Sequence, residues 1–196
     1  VRETLKIVDK VYIVNEGAIF YEGDPISAVK DEKIILLTGD LGYSVVEPFA
    51  KKFPDRFINV GVAEQNMIGI AAGLASEGMR PYTYSIGIFP TFRCAEQIRN
   101  DIDYHNLPVT ICTVGSGVAY GNLGYSHHAI QDLALMRSMP NMSIATPSDQ
   151  FEVKSILEWQ YQERKPTYLR LHKSGEPLLN KNKNLSTKLN RIYDPK

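Results

Sequence analysis

Glu64 is the residue in this sequence best placed to handle a proton. It stands in the first turn of an otherwise apolar helix, in Gly61-Val62-Ala63-Glu64-Gln65-Asn66-Met67. Two chemistries suit it there. The positive end of a helix dipole favours a carboxylate as a matter of stability alone. A semi-buried carboxylate with a raised pKa can instead share a proton with a ligand. His127, in Gly124-Tyr125-Ser126-His127-His128, is either a solvated loop histidine or a group that donates to a developing oxyanion or moves a proton. Asp40, in Gly39-Asp40-Leu41-Gly42, is either an Asx-turn residue or an acid presented at the end of a strand. Phe89, in Ile86-Gly87-Ile88-Phe89-Pro90-Thr91-Phe92, leaves a strand, where an aromatic is core by default.

The elements that must hold these residues alternate. Residues 34–38 are a continuous apolar run suited to a strand buried on both faces. A short helix over 44–52 and a turn at Phe53-Pro54-Asp55 lead to a strand over 57–60. The helix behind Glu64 carries Gly69, Ala71, Ala72, Gly73 and Ala75 on several faces. Glycine costs a helix about 1 kcal/mol against alanine, so these small residues predict a closely packed neighbour. Gly78 followed by Pro81 stops that helix. Beyond it the pattern predicts a strand over 82–86, one helix over 90–104, and a strand over 109–114. It then predicts helix 130–136, strand 142–146, helix 148–164 and strand 168–171. Ser148, Asp149 and Glu152 form the start signal of the last helix. This alternation predicts an α/β fold, a mostly parallel sheet with helices on both faces, with ligands at the C-terminal ends of strands.

Composition narrows the function. The 196 residues suffice for one α/β domain with a core. Lys+Arg and Asp+Glu are 22 each, so bulk charge points to neither nucleic acid nor a membrane surface. No apolar run reaches a membrane span and no signal peptide is seen, which predicts a cytoplasmic protein. Cys94 and Cys112 form no C-x-x-C pair and read as reduced core thiols, and no metal-site spacing occurs.

Five separated blocks between residues 34 and 177 resemble, in order, the pyrimidine-binding domain of the transketolase family, the thiamine diphosphate enzymes. They include Thr38-Gly39-Asp40-Leu41-Gly42, the Glu64 motif and the stretch Ile86 to Phe92. The resemblance implies that Glu64 hydrogen-bonds the aminopyrimidine ring nitrogen of the cofactor and favours its imino tautomer. It implies that Phe89 stacks on that ring, with Ile86 and Phe92 lining the pocket and Val62 in the cofactor-binding motif. Offset stacking would add about 0.5–1.5 kcal/mol beyond area burial. It places Asp40 near the cofactor across a subunit interface, and His127 near the thiazolium and the substrate. Lys173 stands where relatives have a phosphate-gripping arginine; lysine keeps the charge and loses the bidentate fork. Leu123 replaces a substrate-reading aspartate of transketolases proper, Ile86 a frequent aromatic, and His128 a frequent glutamine.

The family's pyrophosphate-binding half, with its magnesium motif, is missing. The resemblance therefore implies a partner subunit that supplies the pyrophosphate and Mg site, a homo- and hetero-oligomer, and sugar or sugar-phosphate substrates for two-carbon ketol transfer. The chain alone would be inactive. Residues 1–33 follow another pattern, two strand-like runs (11–14 and 18–21) around Asn15-Glu16-Gly17. They resemble a fragment of an ABC-transporter ATPase, without a phosphate loop, and read as a fused hairpin and not as a domain. The expected organisation is thus 1–33 hairpin fragment, 34–180 pyrimidine-binding domain and 181–196 tail. The competing reading is a non-catalytic fusion or interaction module, or a fragment of a transporter-associated protein.

Overall fold

The computed structural model describes residues 31–173, together with a two-residue antiparallel ladder between β1 (Val14–Asn15) and β2 (Ala18–Ile19). That ladder lies within the predicted hairpin. Of the predicted 1–33 fragment, residues 31–33 are also described, as a turn leading into the sheet; the rest of it and the predicted tail at 181–196 lie outside the described residues.

Six strands form one sheet: β3 (Ile34–Thr38), β4 (Phe57–Asn59), β5 (Arg80–Ile86), β6 (Thr110–Val114), β7 (Ser143–Ala145) and β8 (Thr167–Leu171). Their spatial order is β4-β3-β5-β6-β8-β7, and every pairing is parallel. The expected mostly parallel sheet is therefore wholly parallel. From β3 the chain steps out to β4 at the edge and then crosses back to β5. The C-terminal ends of β3 and β5 thus face a topological switch point, where open parallel sheets form a crevice.

Alternation along the strands divides the core in two. Ile35, Leu37, Ile111 and Tyr168 pack on one face with Met67, Ile68, Ala71, Ala72 and Ala75 of helix α2 (Glu64–Ser76). Tyr84, Cys112, Val114, Leu169 and Leu171 pack on the other with Val153, Ile156 and Leu157 of helix α6 (Gln150–Glu163). The shorter helices are α1 (Glu47–Lys52), α3 (Ile88–Phe92), α4 (Ala95–Gln97) and α5 (Asp132–Arg137). Among the described residues no helix is long and apolar enough to cross a membrane.

Two helix ends follow from local chemistry. At the end of α2, Gly78 takes φ +85°. The Met79 N–H reaches the Leu74 carbonyl at 3.0 Å and the Gly78 N–H reaches Ala75 at 3.0 Å, a Schellman stop. At the start of α6, Asp149 Oδ1 accepts from the Glu152 N–H at 3.1 Å, while Glu152 Oε2 accepts from the Ser148 N–H at 2.7 Å. The single helix expected over 90–104 is in fact broken. Helix α3 ends at Phe92, α4 follows Cys94, and the chain then widens into π turns over Ile98–Asp103. The hydroxyl of Thr91 bonds back to the Gly87 and Ile88 carbonyls at 3.0 and 3.1 Å, a back-bond that bends helices.

Candidate active site

Glu64 is the first residue of α2, and its side chain is 1% exposed. It reaches the switch point because Asn59, at the end of β4, pins two turns together. Asn59 Oδ1 accepts from the N–H groups of Asp40 (3.1 Å) and Gly61 (3.0 Å), and its Nδ2 donates to Asp40 Oδ1 at 2.9 Å. These bonds hold the loop after β3 against the turn before α2. The Glu64 carboxylate then lies beside Gly39, where an added Cβ would stand 3.6 Å from both Cγ and Oε1 of Glu64. Ser85, near the end of β5, donates to Oε1 over 3.4 Å.

The strong partner of Glu64 is Arg93, whose Nη1 donates to Oε2 at 2.5 Å. The guanidinium carbon of Arg93 also lies over the Phe89 ring, 5.1 Å from its centroid. Phe89 belongs to α3, and Arg93 follows one turn later, the spacing at which helical side chains meet. Phe89 in turn meets the His127 ring edge-on at 5.2 Å, and His127 lies 6.1 Å from the Tyr120 ring. Lys173 Nζ stands over Tyr120 at 5.5 Å. The result is a continuous row, Glu64–Arg93–Phe89–His127–Tyr120–Lys173, along the C-terminal edge of the sheet. Ser126 Oγ engages His127 Nδ1 at 3.0 Å, and His128 Nε2 lies 3.0 Å from the Gly121 carbonyl. Gly115, at φ +86°, admits the Tyr120 ring: a Cβ there would fall 2.0 Å from Tyr120 Cε2.

The row gathers Glu64, Phe89, His127 and Lys173 of the expected site residues. Four others fall elsewhere. Ile86, expected in the same pocket, packs with Tyr84 and Val114 on the α6 side of the sheet. Strand alternation turns Ser85 towards Glu64, so its neighbour faces away. Phe92 is half exposed, since α3 buries Pro90 and Thr91 instead. Val62 is 76% exposed in the turn before α2. Asp40 sits on the exposed side of its loop at φ +60°, paired with Asn59. Its carboxylate thus bonds the Asn59 side chain and not the backbone of its own loop. Gly69 and Gly73 lie on the outer face of α2, with nothing within 4 Å of an added Cβ. The close neighbour predicted from them is therefore not among the described residues.

Sequence reasoning missed Arg93, Ser85, Gly39 and Tyr120. Only Arg93 carried a local signal, its i,i+4 spacing from Phe89. Ser85 and Gly39 meet Glu64 across strand crossovers, whereas Tyr120 meets Gly115 and His127 within the loop after β6.

What the row can do is specific. A buried carboxylate with one oxygen turned to a planar N–H donor that also covers an apolar ring suits a flat nitrogen heterocycle. That Arg93, a planar nitrogen-rich group, already spans the carboxylate and the ring is the structural test of this fit. His127 and Lys173 add a proton carrier and a cation farther along.

Residues 27–177 match the family model described as transketolase, pyrimidine binding domain. The chain is 38% identical over 159 residues, 81% of its length, to a putative transketolase C-terminal section of Methanocaldococcus jannaschii, of which it covers 50%. It is 37% identical over 148 residues to one of the subunits of an apulose-4-phosphate transketolase of Actinobacillus succinogenes, covering 74% of this chain and 48% of that one. Among solved structures, a split-gene transketolase captured as an inactive beta4 tetramer superposes with TM-score 0.69 at 40% identity, over 78% of this chain and 49% of that one. The chain spans about half the length of these relatives.

Proposed function

The chain belongs to the transketolase family and carries its pyrimidine-binding domain, and from that premise we propose that it is one half of a thiamine diphosphate-dependent, cytoplasmic transketolase-type enzyme. The reaction is transfer or formation of two-carbon ketol units on sugar or sugar-phosphate substrates. The observation that carries this reading is the row in which Arg93 links a buried carboxylate, Glu64, to the Phe89 ring and through it to the His127 edge.

When bound, the cofactor supplies a ring carbon that adds to a ketose carbonyl. The residues of this chain prepare and protect that chemistry. Glu64 Oε2 is the atom that shares a proton with the pyrimidine ring nitrogen. Burial makes that hydrogen bond strong, because water does not compete for it. Phe89 offers the flat apolar face for stacking. Ser126 engages His127 Nδ1, so Nε2 is the nitrogen that donates to a substrate oxygen or takes its proton. Lys173 attracts a substrate phosphate as a point charge. A pyrophosphate- and Mg-binding partner subunit completes the site. The relative that is itself one subunit of a transketolase, and the split-gene relative inactive as a beta4 assembly, support this division of labour. The exposed glycines of α2 are a candidate contact with the partner or a second copy.

Co-expression with a chain that carries the pyrophosphate motif tests the proposal. The complex is expected to bind thiamine diphosphate and to turn over a ketose donor. The Glu64→Gln variant should lose turnover by about 10²–10⁴-fold, the range for a lost proton-transfer group. Turnover unchanged in Glu64→Gln, or a complex that binds no thiamine diphosphate, would overturn it.

A further inference from the structure

Arg93 joins the buried Glu64 carboxylate to the solvent-exposed surface. The carboxylate is 1% exposed, and the side chain over it is 47% exposed. Its two oxygens are not equivalent. Oε1 faces inward, towards Ser85 and the Gly39 wall. Oε2 receives Nη1 of Arg93, whose guanidinium also covers the Phe89 ring. One planar cation therefore holds both the acceptor and the ring that the proposed pyrimidine site would use. A carboxylate oxygen and one ring face cannot serve two planar donors at once in the same slot.

The backbone suits such a part. Arg93 is the residue just after α3, and α4 begins only after Cys94. A residue at a break between two short helices can re-aim its side chain without unwinding a long element. The guanidinium is already partly hydrated, so swinging it into water costs less than unburying an internal charge.

We propose that Arg93 is a gate on the pyrimidine slot. It compensates the Glu64 charge and shields the Phe89 face until a planar nitrogen heterocycle displaces it. The inference rests on the reading of Glu64 and Phe89 as the pyrimidine partners, and adds that Arg93 competes with the heterocycle for them. Arg93 thus sets affinity through the free state. Removing it strips a charge-assisted bond from the form that must open, which favours the bound form.

The test titrates the full chain with thiamine and with 4-amino-5-hydroxymethyl-2-methylpyrimidine, followed by NMR. This method reads weak binding and needs no turnover. Arg93→Met is expected to bind these probes about tenfold more tightly than the parent, the equivalent of one net charge-assisted hydrogen bond. Arg93→Lys should fall between them, because a point charge covers the ring less well. In the unsubstituted chain the Arg93 side-chain resonances should move towards those of a solvated arginine as the probe saturates. If Arg93→Met does not fold, Arg93→Lys and the arginine resonances carry the result. Equal or weaker binding by Arg93→Met or Arg93→Lys, or arginine resonances that stay put at saturation, would overturn the gate. If Glu64→Gln and Phe89→Ala weaken binding in that case, the pyrimidine site itself stands. If those two variants bind like the parent, or if no form of the chain binds either probe, the site assignment fails and the gate with it.

Discussion

Among the described residues, two buried carboxylates are paired with arginine, and they are built differently. Asp132, at the start of α5, is 0% exposed, and its partner Arg170 on β8 is only 14% exposed. Arg170 Nε donates to Asp132 Oδ2 at 2.7 Å, and its Nη2 donates to the Ala129 carbonyl at 2.7 Å. The Tyr168 hydroxyl donates to the same Oδ2 at 2.6 Å and accepts from Thr113 Oγ1 at 3.1 Å. Each group in that network has an internal partner, and the network ties α5 and the end of the His127 loop to β6 and β8. Glu64 has one short bond, to an arginine half in water, and one long bond to Ser85. Burial is common to both acids and does not distinguish the two pairs. The exposure of the cation does.

The largest consequence concerns stability. Removing one partner of a buried ion pair costs about 3–5 kcal/mol, because the other charge is left without compensation. Asp132→Asn should therefore lose about that much in urea unfolding, since Arg170 is mostly buried and tied to the Ala129 carbonyl. Glu64→Gln should lose under about 1 kcal/mol, because Arg93 can turn outward. Equal losses in the two variants would erase the distinction.

Exchanging the cations sharpens the same contrast. Arg170 uses two nitrogens in fixed directions, one to Asp132 and one to Ala129, and lysine cannot reproduce that fork. Arg170→Lys should cost about 1–3 kcal/mol, the penalty for a buried acceptor left unmet. Arg93→Lys should change stability by less than about 0.5 kcal/mol, as surface substitutions usually do. The two unfolding midpoints, measured side by side, check this.

How much of this was legible beforehand divides along the same line between local and distant. Strand β3 has the bounds that its apolar run predicted, because a strand covered on both faces must be apolar throughout. The Gly78 stop and the Ser148–Glu152 start are one-turn chemistry, and both are present. The Glu64–Phe89 neighbourhood was reached through family resemblance, and no periodicity in the chain encodes it. The break after Phe92 was missed because a side-chain back-bond and π turns leave no mark on hydrophobic spacing. Arg93 was missed because its partner is 29 residues away and is brought near by the crossover from β4 to β5. Ile86 was misplaced by reading the pocket as a sequence segment, when strand alternation sends it to the other face from Ser85.

The smallest effect uses a thiol as a witness. Cys94 and Cys112 are both buried, and both thiols are pushed up to about 12, in Cys112 by burial alone. In Cys94 burial is joined by the Glu64 charge, which raises it further, and opposed by Arg93, which lowers it. An unfolded chain ionises its thiols from their ordinary value of 9.0, so above that pH the folded state binds more protons than the unfolded one. Stability from each thiol is thus complete below pH 9 and is lost as pH rises from 9 towards 12. The slope is about 1.4 kcal/mol per pH unit for each thiol. Subtracting the pH profile of Cys94→Ala from that of the parent isolates the Cys94 part from the tyrosines Tyr82 and Tyr168, which burial also raises. Glu64→Gln removes the raising charge, the larger of the two, so the Cys94 part should shrink. The Cys112 part, isolated in the same way, should stay as it was. A Cys94 profile indifferent to Glu64→Gln would mean that the carboxylate's field is cancelled on the spot by Arg93, and that the two acid–arginine pairs are electrically alike after all.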